Sequence, residues 1–320
     1  MNIQKATQNG IVKHSNIERA NEIFTNVHAD NTNDAYQKDI ELYLNWCEDN
    51  DKLPKFENSF FEYLTELSHT LKYSTIQRKS VSLSKNITGL DKKALSNFLK
   101  GVSNITQKEG NTSTGAKAVS IEAVKKMVDY YTPDTLTGLR NKAMLLTGFF
   151  GALRASELIN IKKEHLTIDA DGITILIPRS KTDQTGKGQY KFIPQQFSDY
   201  CPVRALSSWI LESGIEDGFL FRAIKKGGKM QDNGLTRQNA YMIVRGGKTK
   251  MIDKKRKIVY AFPEFSTHSL RAGFVTVSSE NNATIQQIQQ QTGHKTAQMI
   301  LHYTRSKDVK KNNSVNNISI

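Results

Sequence analysis

Four short segments of this 320-residue chain hold side chains whose types and spacing could do chemistry on an anion. In Gly151-Ala-Leu-Arg154-Ala-Ser-Glu157-Leu158, Arg154 and Glu157 stand three apart. A helix puts such a pair on one face, where the carboxylate can hold the guanidinium in a fixed orientation. In Thr267-His268-Ser-Leu-Arg271 the same spacing joins an imidazole, a donor or proton carrier, to a guanidinium fork matched to phosphate oxygens. In Gly293-His294, followed after eight residues by Tyr303, a helix ends near the glycine and a second begins with the histidine, where an anion can be met. Tyr303 then falls about two and a half turns along that second helix. Lys181 lies in a polar turn between two strands, from which it could reach over a site built by the other three. Taken singly, each has a plainer reading: a surface ion pair, a chance pair, a capping histidine with a packed tyrosine, a solvated lysine.

The elements that must position them follow from periodicity. Residues 1–29 read as a loosely ordered arm. Helical spacing predicts helices over 33–48, 57–70, 74–87 and 91–106, the third capped by Ser74 or Thr75 with Ile76, Val81 and Leu83 inward. Together they make a small helical domain over 30–107. Residues 108–118, rich in Gly, Ser, Thr and Asn, read as a linker. A second domain, 119–305, begins with helices at 120–131 and 138–151. Gly172–Pro178 and Gly188–Pro194 read as an antiparallel strand pair across the turn that carries Lys181. Helices resume at 202–213 and 235–245, then a basic loop, KTKMIDKKRK, then helices at 268–280, 284–292 and 295–303. The expected fold is mainly α with a small antiparallel β-sheet: an N-terminal helical bundle and a C-terminal mixed α/β domain.

Charge narrows the class of partner. The net charge is +14 with a sequence pI near 9.5. Residues 1–115 hold 14 basic and 14 acidic side chains, so the whole excess lies beyond them. Within the first part, ten acids crowd 30–66, while Lys72, Arg78, Lys79, Lys85, Lys92, Lys93 and Lys100 face Asp91 alone over 72–100. A polyanion gripped from two sides accounts for this pattern; solvated helix faces are the plainer account. The longest apolar stretch, Ala143 to Leu153, falls far short of the ~20 residues a membrane span needs, and the first thirty residues have no apolar signal core. Cys47 and Cys201 form no CxxC pair, so neither a structural zinc nor a disulfide framework is expected. This is the composition of a soluble protein of a reducing, cytoplasmic compartment without a membrane partner.

The order of the segments is more telling than any one of them. GALRASELINI, THSLRAGFVT and TGHKTAQMILHYTR, with a hairpin lysine between the first two, resemble the tyrosine recombinase (phage integrase) family over roughly residues 30–310. The resemblance implies a catalytic set of Arg154, Lys181, His268, Arg271, His294 and Tyr303, with Glu157 supporting Arg154. It implies cleavage and rejoining of DNA strands by way of a covalent 3′-phosphotyrosine, with no metal, ATP or other cofactor. It also implies a homo-tetramer on two double-stranded DNA sites, assembled from free monomers, and a helical 30–107 domain that clamps DNA.

Arg237 and Gln238 resemble the family's major-groove readers, and arginine to guanine or glutamine to adenine are standard base pairings, though phosphate contacts suit either residue equally. Lys72, Gln77, Arg78 and Lys79 are the candidates in the helical domain, and Lys254–Lys257 reads as a backbone contact or a solvated loop. The tail 306–320 is Asn-rich; Ile318 and Ile320 alternate as a strand docking on a neighbouring protomer would, but disorder in the monomer is the simpler account. Three alternatives stay open: a type IB topoisomerase-like or telomere-resolving strand transferase, a non-catalytic DNA-binding protein on the same scaffold, and a metallohydrolase using His268, His294 and His302, for which carboxylate or cysteine partners are lacking.

Overall fold

The computed structural model describes residues 30–108, 116–178, 188–252 and 255–304. The proposed arm 1–29, most of the linker, the hairpin turn with Lys181, Lys254 and the tail 306–320 lie outside the described residues. The chain divides into two compact units between residues 114 and 115.

The first unit is four helices: α1 (Asp30–Asp49), α2 (Glu57–Ser68), α3 (Tyr73–Ser84) and α4 (Lys92–Lys108). Tyr43 and Cys47 on α1, Phe60 and Leu64 on α2, Ile76 and Leu83 on α3 and Val102 on α4 close its core. These are i,i+4 and i,i+7 positions, the stripe that a 3.6-residue period lays on one face. Val81, expected inside, falls off that stripe and is 48% exposed, while Ser80, four residues after Ile76, takes the buried place. Helix α3 also begins earlier than expected: Lys72 is its N-cap, without a side-chain bond, and Ser74 and Thr75 fall inside its first turn.

A charged knot sits under α3. Asp39 of α1 is buried and accepts two hydrogen bonds from the Arg78 guanidinium, one from the Lys79 ammonium at 2.9 Å and one from the Ser82 hydroxyl at 3.0 Å. Burial alone would raise the Asp39 carboxyl; the bonds from Arg78, Lys79 and Ser82 outweigh it and hold the group below its usual range. Lys79 is itself buried, so the expectation that it meets DNA is corrected: its charge is spent inside the unit. Lys72, Gln77 and Arg78 are exposed, Arg78 with its guanidinium tied to Asp39.

The second unit is mainly helical with small antiparallel sheets. It opens with α5 (Ile121–Asp129), α6 (Leu136–Phe150) and the short α7 (Ala155–Ile159). Helix α6 is buried almost all round from Ala143 to Phe149, which makes it the post about which the unit is built. Strands β1 (Leu166–Ile168), β2 (Gly172–Ile177) and β3 (Gln189–Pro194) form a three-stranded sheet in the order β1-β2-β3. Ile173, Ile175 and Ile177 alternate inward, and the register sets Ile175 opposite Lys191 and Ile173 opposite Ile193. Helix α8 (Pro202–Ser213) packs against α6, with Trp209 fully buried and its indole N–H donating to the Leu220 carbonyl at 2.8 Å.

Two hairpins escaped the sequence reading. One is β4 (Arg222–Ile224) with β5 (Met230–Gly234). The other, β6 (Gly247–Ile252) with β7 (Lys255–Tyr260), replaces the expected basic loop, because Lys248, Lys250, Lys255 and Lys257 alternate with Thr249, Arg256 and Ile258 in a period-2 pattern that charge obscures. Between the hairpins runs α9 (Arg237–Val244), capped by Thr236 and Asn239, which exchange backbone-to-side-chain bonds at 3.1 Å. The chain then forms α10 (Thr267–Glu280), α11 (Ile285–Thr292) and α12 (Ala297–Thr304), joined by a small core of Val275, Ile288 and Ile300. No helix among the described residues is long and apolar enough to cross a membrane.

The charged knot is testable. Asp39→Ala strands the Lys79 ammonium in a buried site and should cost about 3–5 kcal/mol, whereas the double change Asp39→Leu, Lys79→Met should recover much of it. Thermal unfolding of the full chain by circular dichroism checks this; equal losses for the two variants would mean the ion pair is not what matters.

Candidate active site

The site is assembled from three chain reversals. At the first, α6 ends on Gly151 and the chain turns through Ala152, whose φ of +48° is a left-handed conformation that a residue with a Cβ adopts at a cost. The turn is held from outside: Arg271 donates from Nη1 to the Ala152 carbonyl at 2.8 Å. Two residues later Arg154 takes the N-cap position of α7. Glu157, buried, reaches back with one carboxylate oxygen to the Arg154 backbone N–H at 2.9 Å and with the other to its guanidinium at 2.5 Å. The expected Arg–Glu pairing is therefore present, and it is a buried fastening. Arg154 keeps part of its side chain, 17%, open to solvent.

At the second reversal α10 begins. The Ser266 N–H is met by the Ser269 hydroxyl at 3.0 Å, and His268 stands in the first helical turn, where backbone N–H groups favour an anion. One turn on, Arg271 is 1% exposed. Gly273 lets this helix come close to the segment that leads into α5: a Cβ there would lie 2.4 Å from the Val119 carbonyl oxygen.

The third reversal is at Gly293. Helix α11 ends with this residue at φ +69°, and a Cβ on it would press on the Gln189 side chain. The left-handed turn pushes the next helix on to Ala297, so His294 sits in a tight link and does not open α12 as the spacing suggested. His294 is buried, and the Gln289 side-chain amide donates to its carbonyl at 3.2 Å. Tyr303 lies on α12, one turn beyond the fully buried Ile300; its side chain, and all of Lys181, fall outside the described part.

One member of the cluster was not foreseen. Lys191 of β3 points to the same face as Ile193 and is 1% exposed, its ammonium donating to the Gln291 carbonyl at the end of α11. The signal was in the strand: in GQYKFIP the period of two that buries Ile193 also buries Lys191. Gln291 answers with its side-chain amide, which donates to the Phe150 carbonyl at 2.9 Å and the Phe192 carbonyl at 3.1 Å, and Gln189 donates to the Gln290 carbonyl at 3.0 Å. These bonds tie the end of α6, strand β3 and the end of α11 together within a few residues of Arg154 and His294.

Electrostatically this is one field. Burial, then the Arg271 and Arg154 charges, push the His294 imidazole down to about 4; the same three causes hold His268 below its ordinary value. Burial first lowers the Lys191 ammonium to about 8, with Arg271 and Arg154 adding to the fall and Glu157 opposing it. At neutral pH the cluster thus offers two guanidiniums, an ammonium and two neutral imidazoles against one carboxylate, an arrangement suited to an oxyanion and to a proton acceptor beside it. Among the described residues no group of three or more His, Cys, Asp and Glu side chains stands together as metal ligands would. Arg237 and Gln238 are exposed at the N-terminus of α9.

Known proteins are similar to this chain. A family model described as the phage integrase family matches residues 117–310. An integrase/recombinase xerD homolog of Selenomonas ruminantium is 30% identical over 299 residues, which is 90% of this chain and 85% of that protein. The tyrosine recombinase XerD of Listeria innocua is 27% identical over 210 residues, 61% of each chain. Among solved structures, the XerH site-specific recombinase bound to difH substrate in a pre-cleavage complex has a similar fold, with a TM-score of 0.55 at 16% identity over 86% of this chain and 76% of that one.

The imidazole of His294 sets a pH dependence. Its folded value near 4 lies below the ordinary 6.5, so the stability it brings is whole above pH 6.5 and is lost as pH falls toward 4. Wild type should lose about 1–3 kcal/mol more than His294→Gln across that window in melts at graded pH. Parallel curves would mean that the ring is not held neutral by its surroundings.

Proposed function

The chain belongs to the phage integrase family, and we propose that it is a site-specific tyrosine recombinase that cuts and rejoins double-stranded DNA through a 3′-phosphotyrosine at Tyr303. The observation that carries the reading is the gathering of Arg154, Arg271, His268 and His294 into one electropositive, partly buried cluster, with Glu157 and a backbone carbonyl fixing the two guanidiniums. Relatives and neighbours of similar fold support it, being named as recombinases and, in the XerH case, bound to a DNA substrate.

The chemistry follows from the charges. A phosphodiester repels nucleophiles, and negative charge grows on its non-bridging oxygens as phosphorus becomes five-coordinate. Arg154 and Arg271 clamp those oxygens and His294 adds a donor. The Tyr303 hydroxyl, with an ordinary pKa of ~10, attacks phosphorus as its proton passes to neutral His268. The bond from phosphorus to the 5′ oxygen breaks, and that oxygen leaves with a proton from Lys181. The phosphotyrosine keeps the ester bond, so a second 5′-hydroxyl reverses the step and joins new strands without ATP, and the protein's own cations do the work of a metal. Complete exchange takes four cleavages, which is the basis for a homo-tetramer on two DNA sites. Arg237 and Gln238 on α9, with Lys72, Gln77 and Arg78 on the helical unit, are the proposed DNA contacts.

Nicked duplexes drawn from the DNA flanking the gene test this on denaturing gels. Wild type should give a covalent protein–DNA adduct in the presence of chelator, Tyr303→Phe should bind and give none, and Arg154→Ala should slow adduct formation about 10²–10³-fold with most of the affinity kept. An adduct with Tyr303→Phe, or a requirement for divalent metal, would overturn the mechanism.

A further inference from the structure

The β6–β7 hairpin is built as more than a connection between α9 and α10. Its register sets Lys248 opposite Val259, Lys250 opposite Lys257 and Ile252 opposite Lys255. Directly opposed residues share a face, and so do alternate residues along each strand. Lys248, Lys250, Lys255 and Lys257 therefore stand on one face, all exposed. No described residue of the ribbon is acidic; Asp253 lies outside the described residues.

The ribbon's root is fixed. The Arg245 guanidinium lies against both the Tyr241 and Tyr260 rings, 4.9 and 4.2 Å from their centroids, and donates to the Tyr241 hydroxyl and the Pro263 carbonyl. The Tyr130 and Tyr131 hydroxyls donate to the Gly246 and Ile243 carbonyls at 3.0 and 2.6 Å, and Lys248 rests over the Tyr130 ring at 4.2 Å. A loop that merely spans two helices has no use for such anchoring. An arm that must hold its charges in place before a ligand arrives does, because ordering it afterwards would cost affinity.

We propose that this ribbon is a second DNA contact of the catalytic unit, a lysine face that grips phosphates next to the stretch of duplex met by α9. The proposal rests on the reading that the chain acts on DNA. Two features choose the occupant. The ribbon leaves α9, with its exposed Arg237 and Gln238, after only Arg245 and Gly246, so a duplex lying on the helix N-terminus has the ribbon within the same unit. Its six-residue strands span about 20 Å, the length of about six base pairs. The lysine face holds no Arg, Asn or Gln, the side chains that read base edges in pairs of bonds, so it adds affinity without sequence preference.

The test uses the full-length protein with Lys250, Lys255 and Lys257 all changed to Ala, leaving Lys248 on Tyr130. An equal-charge control changes Lys225, Lys226 and Lys229, exposed at the β4–β5 turn, to Ala. Binding to two unrelated 30-base-pair duplexes is followed by fluorescence anisotropy at graded salt, with thermal melts to check folding. The ribbon variant should lose about 2–3 from the slope of log affinity against log salt, and tenfold or more in affinity at 0.1 M salt, by the same factor on both duplexes. The control should lose less than one from the slope.

Equal losses in variant and control would overturn the proposal in favour of net charge alone. An unchanged slope in the ribbon variant would overturn it too, and would hand the ribbon to an acidic protein surface. A loss confined to one duplex would replace the phosphate grip by base reading. Wild type without salt-dependent binding to any duplex would instead sink the DNA reading itself.

Discussion

Bringing two guanidiniums and an ammonium into a half-buried space is opposed by their mutual repulsion and by the water they give up, and much of the catalytic unit is arranged to meet that opposition. Glu157 supplies the one carboxylate, already fastened to the Arg154 backbone before it touches the side chain. Arg271 and Lys191 are met by main-chain carbonyls, of Ala152 and Gln291, which take hydrogen bonds without adding a charge. The histidines answer by staying neutral: burial and the neighbouring cations hold both below their ordinary range. A positive field therefore survives folding without being cancelled, which is what a phosphodiester requires of a site that stabilises developing charge.

The carbonyls that serve the cations belong to chain reversals, and this links electrostatics to geometry. Ala152 is held in a left-handed turn and its carbonyl is the one Arg271 takes, so the strain at Ala152 and the burial of Arg271 depend on each other. Gln291 carries both halves of a second link, its carbonyl accepting from Lys191 and its amide reaching Phe150 and Phe192. Left-handed Gly293 follows two residues on and sends the chain through His294 into the helix of Tyr303. The helix of Tyr303, the proposed nucleophile, thus follows a link held by a glutamine and a lysine, and small errors in such placement are costly to a reaction that depends on alignment.

Elements whose periodicity is carried by apolar residues were legible in the sequence. Helix α8 falls on the residues expected, and β2 and β3 differ from expectation by a residue at an end, because Val203, Leu206 and Trp209 on the helix and isoleucines on the strands mark their buried faces openly. What stayed hidden was carried by charge. The β6–β7 ribbon read as a loop since lysines fill alternate places; Lys191 read as an ordinary strand lysine since nothing local says that its face is covered; Lys79 read as a surface cation since Asp39 is 40 residues away. A buried charge is decided by a partner brought by the fold, and spacing along the chain does not reveal it. The Arg154–Glu157 pairing was legible for the opposite reason: an i,i+3 pair finds its partner within one helical turn.

The two units use their cations differently, and the difference bears on how DNA would be held. In the helical unit acids and bases balance, and Arg78 and Lys79 are drawn to Asp39, so part of its basic patch serves its own stability. In the catalytic unit the buried cations are matched mostly by carbonyls, and among the described residues exposed ones stand on ribbon, turn and helix ends, where an outside anion can meet them. Affinity for a polyelectrolyte scales with the phosphates neutralised, not with the cations present. The catalytic unit should therefore dominate the salt dependence of binding, while the helical unit adds shape and a smaller number of contacts.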